Sequence, residues 1–271
     1  MKTILKKLAI LFIFFGCYSC DSEDFQQLSD TYSPDVNGCY SCDSEDFRQL
    51  SDTCFPDVND CYTYPIVPGT DKWQKLSSIE EAFQVCQLPD KTLKSISTPG
   101  LIDAIAYSPM FVGYYMLSSS SPVETWHMLY AKLNSVQELF DRDDAGEVLV
   151  AYYKAIDFRC INSNEEHYIT ESERLSGIEF LFTKQEVLNK ISHQKKQELV
   201  EALLSNYNQK IERSSIIVPI AWIMFNDNYQ PMMAYYTSNV KQYEQSILAG
   251  YVFSKEQSES IVSIANDFIN E

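Results

Sequence analysis

Histidine is nearly absent from this chain, with three in 271 residues, at His127, His167 and His193. No two of them stand at a metal-ligand spacing such as H-x-x-x-H, and a lone helical histidine is ordinarily a structural or surface residue. A G-x-S-x-G elbow, a Walker loop and the glycine pattern of a dinucleotide fold are also missing, so nucleophile and phosphate chemistry have no visible home. Positive charge is short as well: 21 Lys and Arg face 38 Asp and Glu, for a formal net charge of −17. That balance argues against nucleic acid as a partner, because phosphates need a basic patch, and against direct adsorption to anionic lipid. No apolar run near the start is long enough to span a bilayer: Leu8 to Phe15 would rise only about 12 Å as a helix. Sustained alternation of apolar and polar residues is scarce, which leaves little material for a sheet.

What is present begins with an address. In "MKTILKKLAILFIFFGCYSC", Lys2, Lys6 and Lys7 precede the apolar core, as in a signal peptide. A small residue then precedes cysteine twice, at Gly16-Cys17 and Ser19-Cys20. Here the chain resembles a bacterial lipoprotein precursor, in which a peptidase cuts just before a cysteine that carries lipid. "FFGC" fits that motif better and favours Cys17. The "DSED" after Cys20 looks like an export signal to the outer face of the outer membrane. Cutting at Cys20 would leave Cys39, Cys42, Cys54, Cys61, Cys86 and Cys160 as an even set that an oxidising envelope can pair. The resemblance implies an outer-membrane lipoprotein, anchored through its lipid and exposed at the surface. The alternative is a periplasmic or secreted protein with an ordinary cleavage site.

The segment "CYSCDSEDFQQLSDTYSPDVNG" from Cys17 recurs as "CYSCDSEDFRQLSDTCFPDVND" from Cys39, differing at Gln26/Arg48, Tyr32/Cys54, Ser33/Phe55 and Gly38/Asp60. A third copy, "CYTY" from Cys61, dissolves at once. Two copies with few apolar residues cannot build a solenoid. Rich in carboxylates and without helical or strand periodicity, residues 21–64 read as a disordered acidic linker that spaces the body from the membrane. The C-x-x-C pairs Cys17/Cys20 and Cys39/Cys42 lack the βαβ setting of a thiol oxidoreductase. A zinc site would need both pairs to survive processing. Asp35, Asn37 and Gly38 approach calcium-loop spacing, but Ser33 and Ser44 stand where the terminal ligands belong. No cofactor or metal is expected.

From residue 65 to 271 the composition is that of one helical domain, opened by Pro65, Pro68 and Gly69. Capping boxes are expected at Ser78/Glu81, Ser121/Glu124, Thr183/Glu186 and Ser254/Gln257. Pro122 and Pro99 are expected at first helical positions, and Asp144 as a cap. Apolar stripes recur at helical spacing, as in Leu199, Val200, Leu203, Leu204, Tyr207 and Ile211. "IIVPIAWIMF" from Ile216 is apolar all round and reads as a buried central helix entered or kinked at Pro219, whereas "GIEFLFT" from Gly177 is compatible with a short strand. The fold class is all-α, an irregular bundle or α-solenoid-like stack. The stretches "CQLPDKTLKSISTPGLIDAI" and "YAKLNSVQELFDRDDAGEVLVAYYKA" resemble an uncharacterised family of exported bacterial lipoproteins, which implies localisation and fold but no site.

Few candidates for a site remain. Cys86 and Cys160 are candidates for a disulfide or for two buried thiols. The pairs Tyr114-Tyr115, Tyr152-Tyr153 and Tyr235-Tyr236 put adjacent aromatics on diverging helix directions, so one of each can contact a partner protein or glycan; otherwise they fill the core. Glu165-Glu166 and Glu171-x-Glu173 are too close in sequence to face one cleft as a glycosidase pair. These readings favour a non-catalytic binding or scaffold domain, with an envelope hydrolase using an unidentified carboxylate pair as the alternative.

Overall fold

The computed structural model describes residues 54–111, 122–163, 168–209, 216–248 and 253–271. The signal peptide, Cys17, Cys20, the first repeat copy, Tyr114, Tyr115 and His167 lie outside the described residues. Among the described residues the chain forms thirteen α-helices and no strand, the all-α class that the apolar periodicity predicts. They are α1 (Ile79–Val85), α2 (Asp90–Ser95), α3 (Thr98–Ala106), α4 (Pro122–Lys132), α5 (Asn134–Asp141), α6 (Ala145–Lys154), α7 (Phe158–Ser163), α8 (Tyr168–Leu181), α9 (Gln185–Leu188), α10 (His193–Gln209), α11 (Ile217–Asn226), α12 (Gln230–Leu248) and α13 (Lys255–Phe268). No described helix is long and apolar enough to cross a membrane.

Serine side chains open several of these helices. The Ser254 hydroxyl accepts from the Gln257 amide at 3.2 Å while the Gln257 side chain accepts from the Ser254 amide at 2.8 Å, completing the expected box at α13. At α1 the Ser78 hydroxyl accepts from the Glu81 amide, but Glu81 reaches back to Ser77 rather than Ser78. Ser97, one residue earlier than expected, caps α3 through the Gly100 amide, so Pro99 falls in the second helical position. The expected box at Thr183/Glu186 does not form. Lys184 is the cap residue of α9, and the Thr183 hydroxyl turns back to donate to the Phe180 carbonyl. Asp144 occupies the cap position of α6 without capping it; its carboxylate accepts from the Thr98 hydroxyl at 2.8 and 3.0 Å and ties α6 to α3. Ser121 lies outside the described residues.

Two helices act as hubs. The apolar α11, with Ile217, Val218, Pro219, Ile220, Ala221, Ile223 and Met224 buried, packs on α8, α9, α10, α12 and α13. A helix without a polar stripe needs neighbours on most of its faces, and only Trp222 and Phe225 among its apolar residues stay half-buried. Its turn into α12 passes through Asn228, whose φ of 57° suits a short side chain that tolerates the left-handed region. α3, buried from Thr98 and Gly100 through Ala106, packs on α5, α6 and α8. α8 touches both hubs, since it packs on α3 and α11 as well as α4. The segment from Gly177 that was compatible with a strand belongs to α8 up to Leu181. Its Gly177 passes so close to Phe111 that a Cβ there would stand 2.5 Å from the ring.

The folded body starts earlier than residue 65. Residues 54–64, expected to be disordered linker, form a strap across α3 and α7. Cys54, Phe55 and Tyr64 are buried, the Phe55 ring stands edge-on to Tyr107, and the Tyr64 hydroxyl donates to the Ala104 carbonyl. Asp60 accepts from the Ser97 amide at 2.5 Å and from its hydroxyl at 2.6 Å. Gly100 makes that approach feasible, because a Cβ would lie 2.5 Å from Asp60 Oδ1 and 2.9 Å from its carbonyl oxygen. A low average of apolar residues concealed a few well-placed anchors.

Candidate functional site

The expected Cys86–Cys160 disulfide does not form. Cys160 on α7 is bonded to Cys54 on the strap, with Cα atoms 5.3 Å apart, and the Cys54 carbonyl also accepts from the Asp157 amide. Cys86 is not its partner. It is a buried free thiol near Tyr62 and Tyr64 of the strap, and burial pushes it up to about 12, against the Met110 backbone and the Ser108 hydroxyl, which favour its charged form. At neutral pH such a thiol stays protonated and unreactive.

The tyrosine patch is not assembled as expected. Tyr152 and Tyr153 on α6 are both buried, at 4% and 0% exposure, and Tyr236 on α12 is buried edge-on to Phe225. Adjacent aromatics diverge on a helix, but α6 is covered on both flanks by α3 and α10. Tyr235 alone of the four described candidates stays half-buried, and Trp222 and Phe225 on neighbouring α11 share that partial exposure.

The structure instead gathers an interior polar layer around α8, which buries Glu171, Glu173, Arg174 and Glu179. The Asn206 amide of α10 donates to the Tyr153 hydroxyl at 2.5 Å, and that hydroxyl donates to Glu179 Oε1 at 3.1 Å. Arg174 donates to Glu171 Oε1 at 2.7 Å and lies over the Tyr107 ring at 4.4 Å. Burial, and then the negative charge of Asp103 on α3, raise the Tyr152 hydroxyl well above its ordinary value. Glu173 is pushed up to about 8 by burial, with Arg174 pulling the other way, so at neutral pH it is a carboxylic acid. Beside this layer, Lys184 meets His127 Nδ1 on α4 and lies over the Tyr130 ring at 5.1 Å. Burial, then the Lys184 charge, push His127 down to about 3, and burial pushes Lys184 down to about 8.

The Asn206–Tyr153–Glu179 chain joins α10, α6 and α8, whereas the Arg174–Glu171 pair lies within α8. The Arg174–Glu171 pair has both side chains about 3% exposed, and a buried pair is costly to break but a weak contributor to net stability. Glu171 and Glu173, two residues apart, leave α8 in different directions, as the spacing predicts. Among the described residues no group of three or more His, Cys, Asp or Glu is arranged to hold a metal. A surface hollow of ≈ 340 Å³ lies between α6 and α10, lined by Glu147, Val150, Ala151, Lys154, Ala155 and Lys195. None of the buried acids reaches it, and its two lysines are both engaged by Glu198 at 2.7 and 2.9 Å. His193 at the start of α10 contacts Asp227 at the end of α11 at 2.5 Å, and Lys196 contacts the other oxygen at 3.1 Å. That triplet fastens two helix ends.

Sequence reasoning did not find Asp103, Arg174, Glu179, Lys184 or Asn206. Asp103 interrupts the apolar α3, Arg174, Glu179 and Asn206 sit in helices of mixed polarity, and Lys184 is the cap residue of α9, so no single pattern marks them. Comparison of the chain with protein-family models, with curated proteins and with solved structures finds no match in any of the three.

Proposed function

We propose that this chain is a cell-envelope lipoprotein, anchored through lipid on Cys17 or Cys20, whose helical body binds another macromolecule without catalysing a reaction. The observation that carries the export half of this reading is the Cys54–Cys160 disulfide, because such bonds persist in oxidising compartments and are rare in the cytosol. It agrees with the positively charged, apolar start and the two small-residue-cysteine pairs. The binding half rests on where the polar chemistry goes. The strongly shifted groups are spent inside the body, while Trp222, Phe225 and Tyr235 on the α11–α12 hairpin keep part of their aromatic area in solvent, as contact residues do. A protein partner is favoured over a glycan, because the exposed amides beside that aromatic face, Asn226, Gln185 and Asn189, are bonded to one another.

The test is metabolic labelling with a fatty-acid analogue in a producing cell, comparing the wild-type chain with Cys17→Ala and Cys20→Ala. One substitution should abolish the label and release the chain from the membrane fraction. Absence of label on the wild type would overturn the anchored reading. Protease treatment of intact cells then separates a surface location, in which body peptides are released, from a periplasmic one, in which they appear only after the outer membrane is opened.

A further inference from the structure

The two repeat copies are near-identical, yet the structure uses the second in a way the first cannot be used. The strap is held by Cys54, Phe55, Asp60 and Tyr64, through the disulfide, the Tyr107 edge contact, the Ser97 hydrogen bonds and the Ala104 hydrogen bond. The positions 22 residues earlier carry Tyr32, Ser33, Gly38 and Cys42. All four anchors are therefore replaced. The four residues between Phe55 and Asp60, namely Pro56, Asp57, Val58 and Asn59, repeat without change as Pro34, Asp35, Val36 and Asn37, and none of them is fully buried. Of the four differences between the complete copies, three fall on anchors, and only Gln26/Arg48 does not.

We infer that these anchor residues form a docking code, so that the surface of α3 and α7 accepts the second copy as its strap and rejects the first. The physics at each position supports rejection. Tyr32 cannot bond to Cys160. Ser33 offers no ring to Tyr107 and would place a hydroxyl in an apolar pocket, at a cost of about 1–3 kcal/mol if unpaired. Gly38 has no carboxylate to satisfy the Ser97 amide and hydroxyl. Cys42 cannot reach the Ala104 carbonyl as the Tyr64 phenol does. The middle of the strap, with Pro56 and Val58 half-buried and Asp57 and Asn59 exposed, is the same in both copies and so does not discriminate between them.

The rule has a consequence for reach, which rests on the anchored reading above, whereas the rule itself does not. With the second copy docked, about 35 residues separate the lipidated cysteine from the body, at most ~120 Å of extended chain. Docking of the first copy would cut this to about 14 residues and ~50 Å. The code thus keeps a duplicated tether at full length.

The experiment exchanges the anchors in the full chain and maps disulfides under non-reducing conditions. The full exchange carries Tyr32→Cys, Ser33→Phe and Gly38→Asp with Cys54→Tyr, Phe55→Ser and Asp60→Gly. The cysteine-only exchange carries Tyr32→Cys with Cys54→Tyr. The full exchange should give at least tenfold more bond between position 32 and Cys160 than the cysteine-only exchange, and equal yields would overturn the code. A second measurement keeps Cys54 and uses Phe55→Ser and Asp60→Gly singly, equilibrating the Cys54–Cys160 bond against glutathione. Each should make the bond at least tenfold easier to reduce, a shift of about 30 mV, and an unchanged equilibrium would overturn the code even if the exchange variants fail to fold.

Discussion

Glu173 and His127 are buried within the same body and respond to acid in opposite senses. Folded Glu173 keeps its proton up to about pH 8, while the unfolded chain surrenders it near the ordinary carboxylate value. The folded state therefore binds more protons between those limits, so this contribution is complete in acid and is lost as pH rises toward 8. Glu173→Gln should flatten that loss, gaining on the order of 2 kcal/mol at pH 8 relative to pH 4.5, as read from urea midpoints at constant slope. His127 runs the other way. Its folded value of about 3 lies below the unfolded one, so stability is present above the ordinary histidine range and is lost as pH falls toward 3. His127→Gln should remove that acid loss and leave the alkaline side unchanged, checked by denaturation between pH 7 and pH 4. Neither role was legible in the sequence, where Glu173 was one acid among 38 and His127 one residue of an amphipathic helix. Burial decides both, and burial depends on neighbours distant along the chain.

Among the elements, legibility follows how local the determining interaction is. Ser254 and Gln257 satisfy each other within one turn, and their capping box is present as read. Ser254→Ala should cost about 1 kcal/mol, visible in thermal unfolding together with increased exchange of the first amides of α13. The apolar α11 was equally plain, since no orientation of Ile217 to Met224 hides a polar face. The Thr183 box and the short strand from Gly177 were misread because local patterns were overruled: Lys184 is drawn to His127, and Gly177 gives close passage to Phe111 and accepts from the Tyr130 hydroxyl at 2.5 Å. The strap escaped notice for a related reason. Its four anchors act through contacts 37 to 106 residues away, and no window over residues 54–64 contains their partners.

At the scale of the whole molecule, the Cys54–Cys160 bond closes a loop with a sequence separation of 106 residues that contains α1 to α6. Closing a loop of that length removes about 4–5 kcal/mol of unfolded-chain freedom in the entropic account. Cys160→Ser should lower the denaturation midpoint accordingly, and a reductant should lower the wild type by a similar amount while leaving the variant unmoved. The all-α class and the apolar hub helix α11 were legible, because periodicity and caps are properties of the chain itself. The pairing of the cysteines was not, because parity counts partners without saying which are near.

The same bond also determines where mechanical load enters. If the chain is anchored and bound as proposed, a pull on the anchor, resisted by a partner at the α11–α12 hairpin, enters the body at Cys54, crosses the sulfur bridge to α7 and continues toward the hairpin. The chain between Cys54 and Cys160 is shunted out of that path, so α1 to α6 cannot be drawn out by tension while the bridge is intact. Reduction would place those residues in series with the load and add roughly 380 Å of extensible chain. Against tension, the bridge works as a limiter that protects the first half of the body and leaves the second half to bear the force.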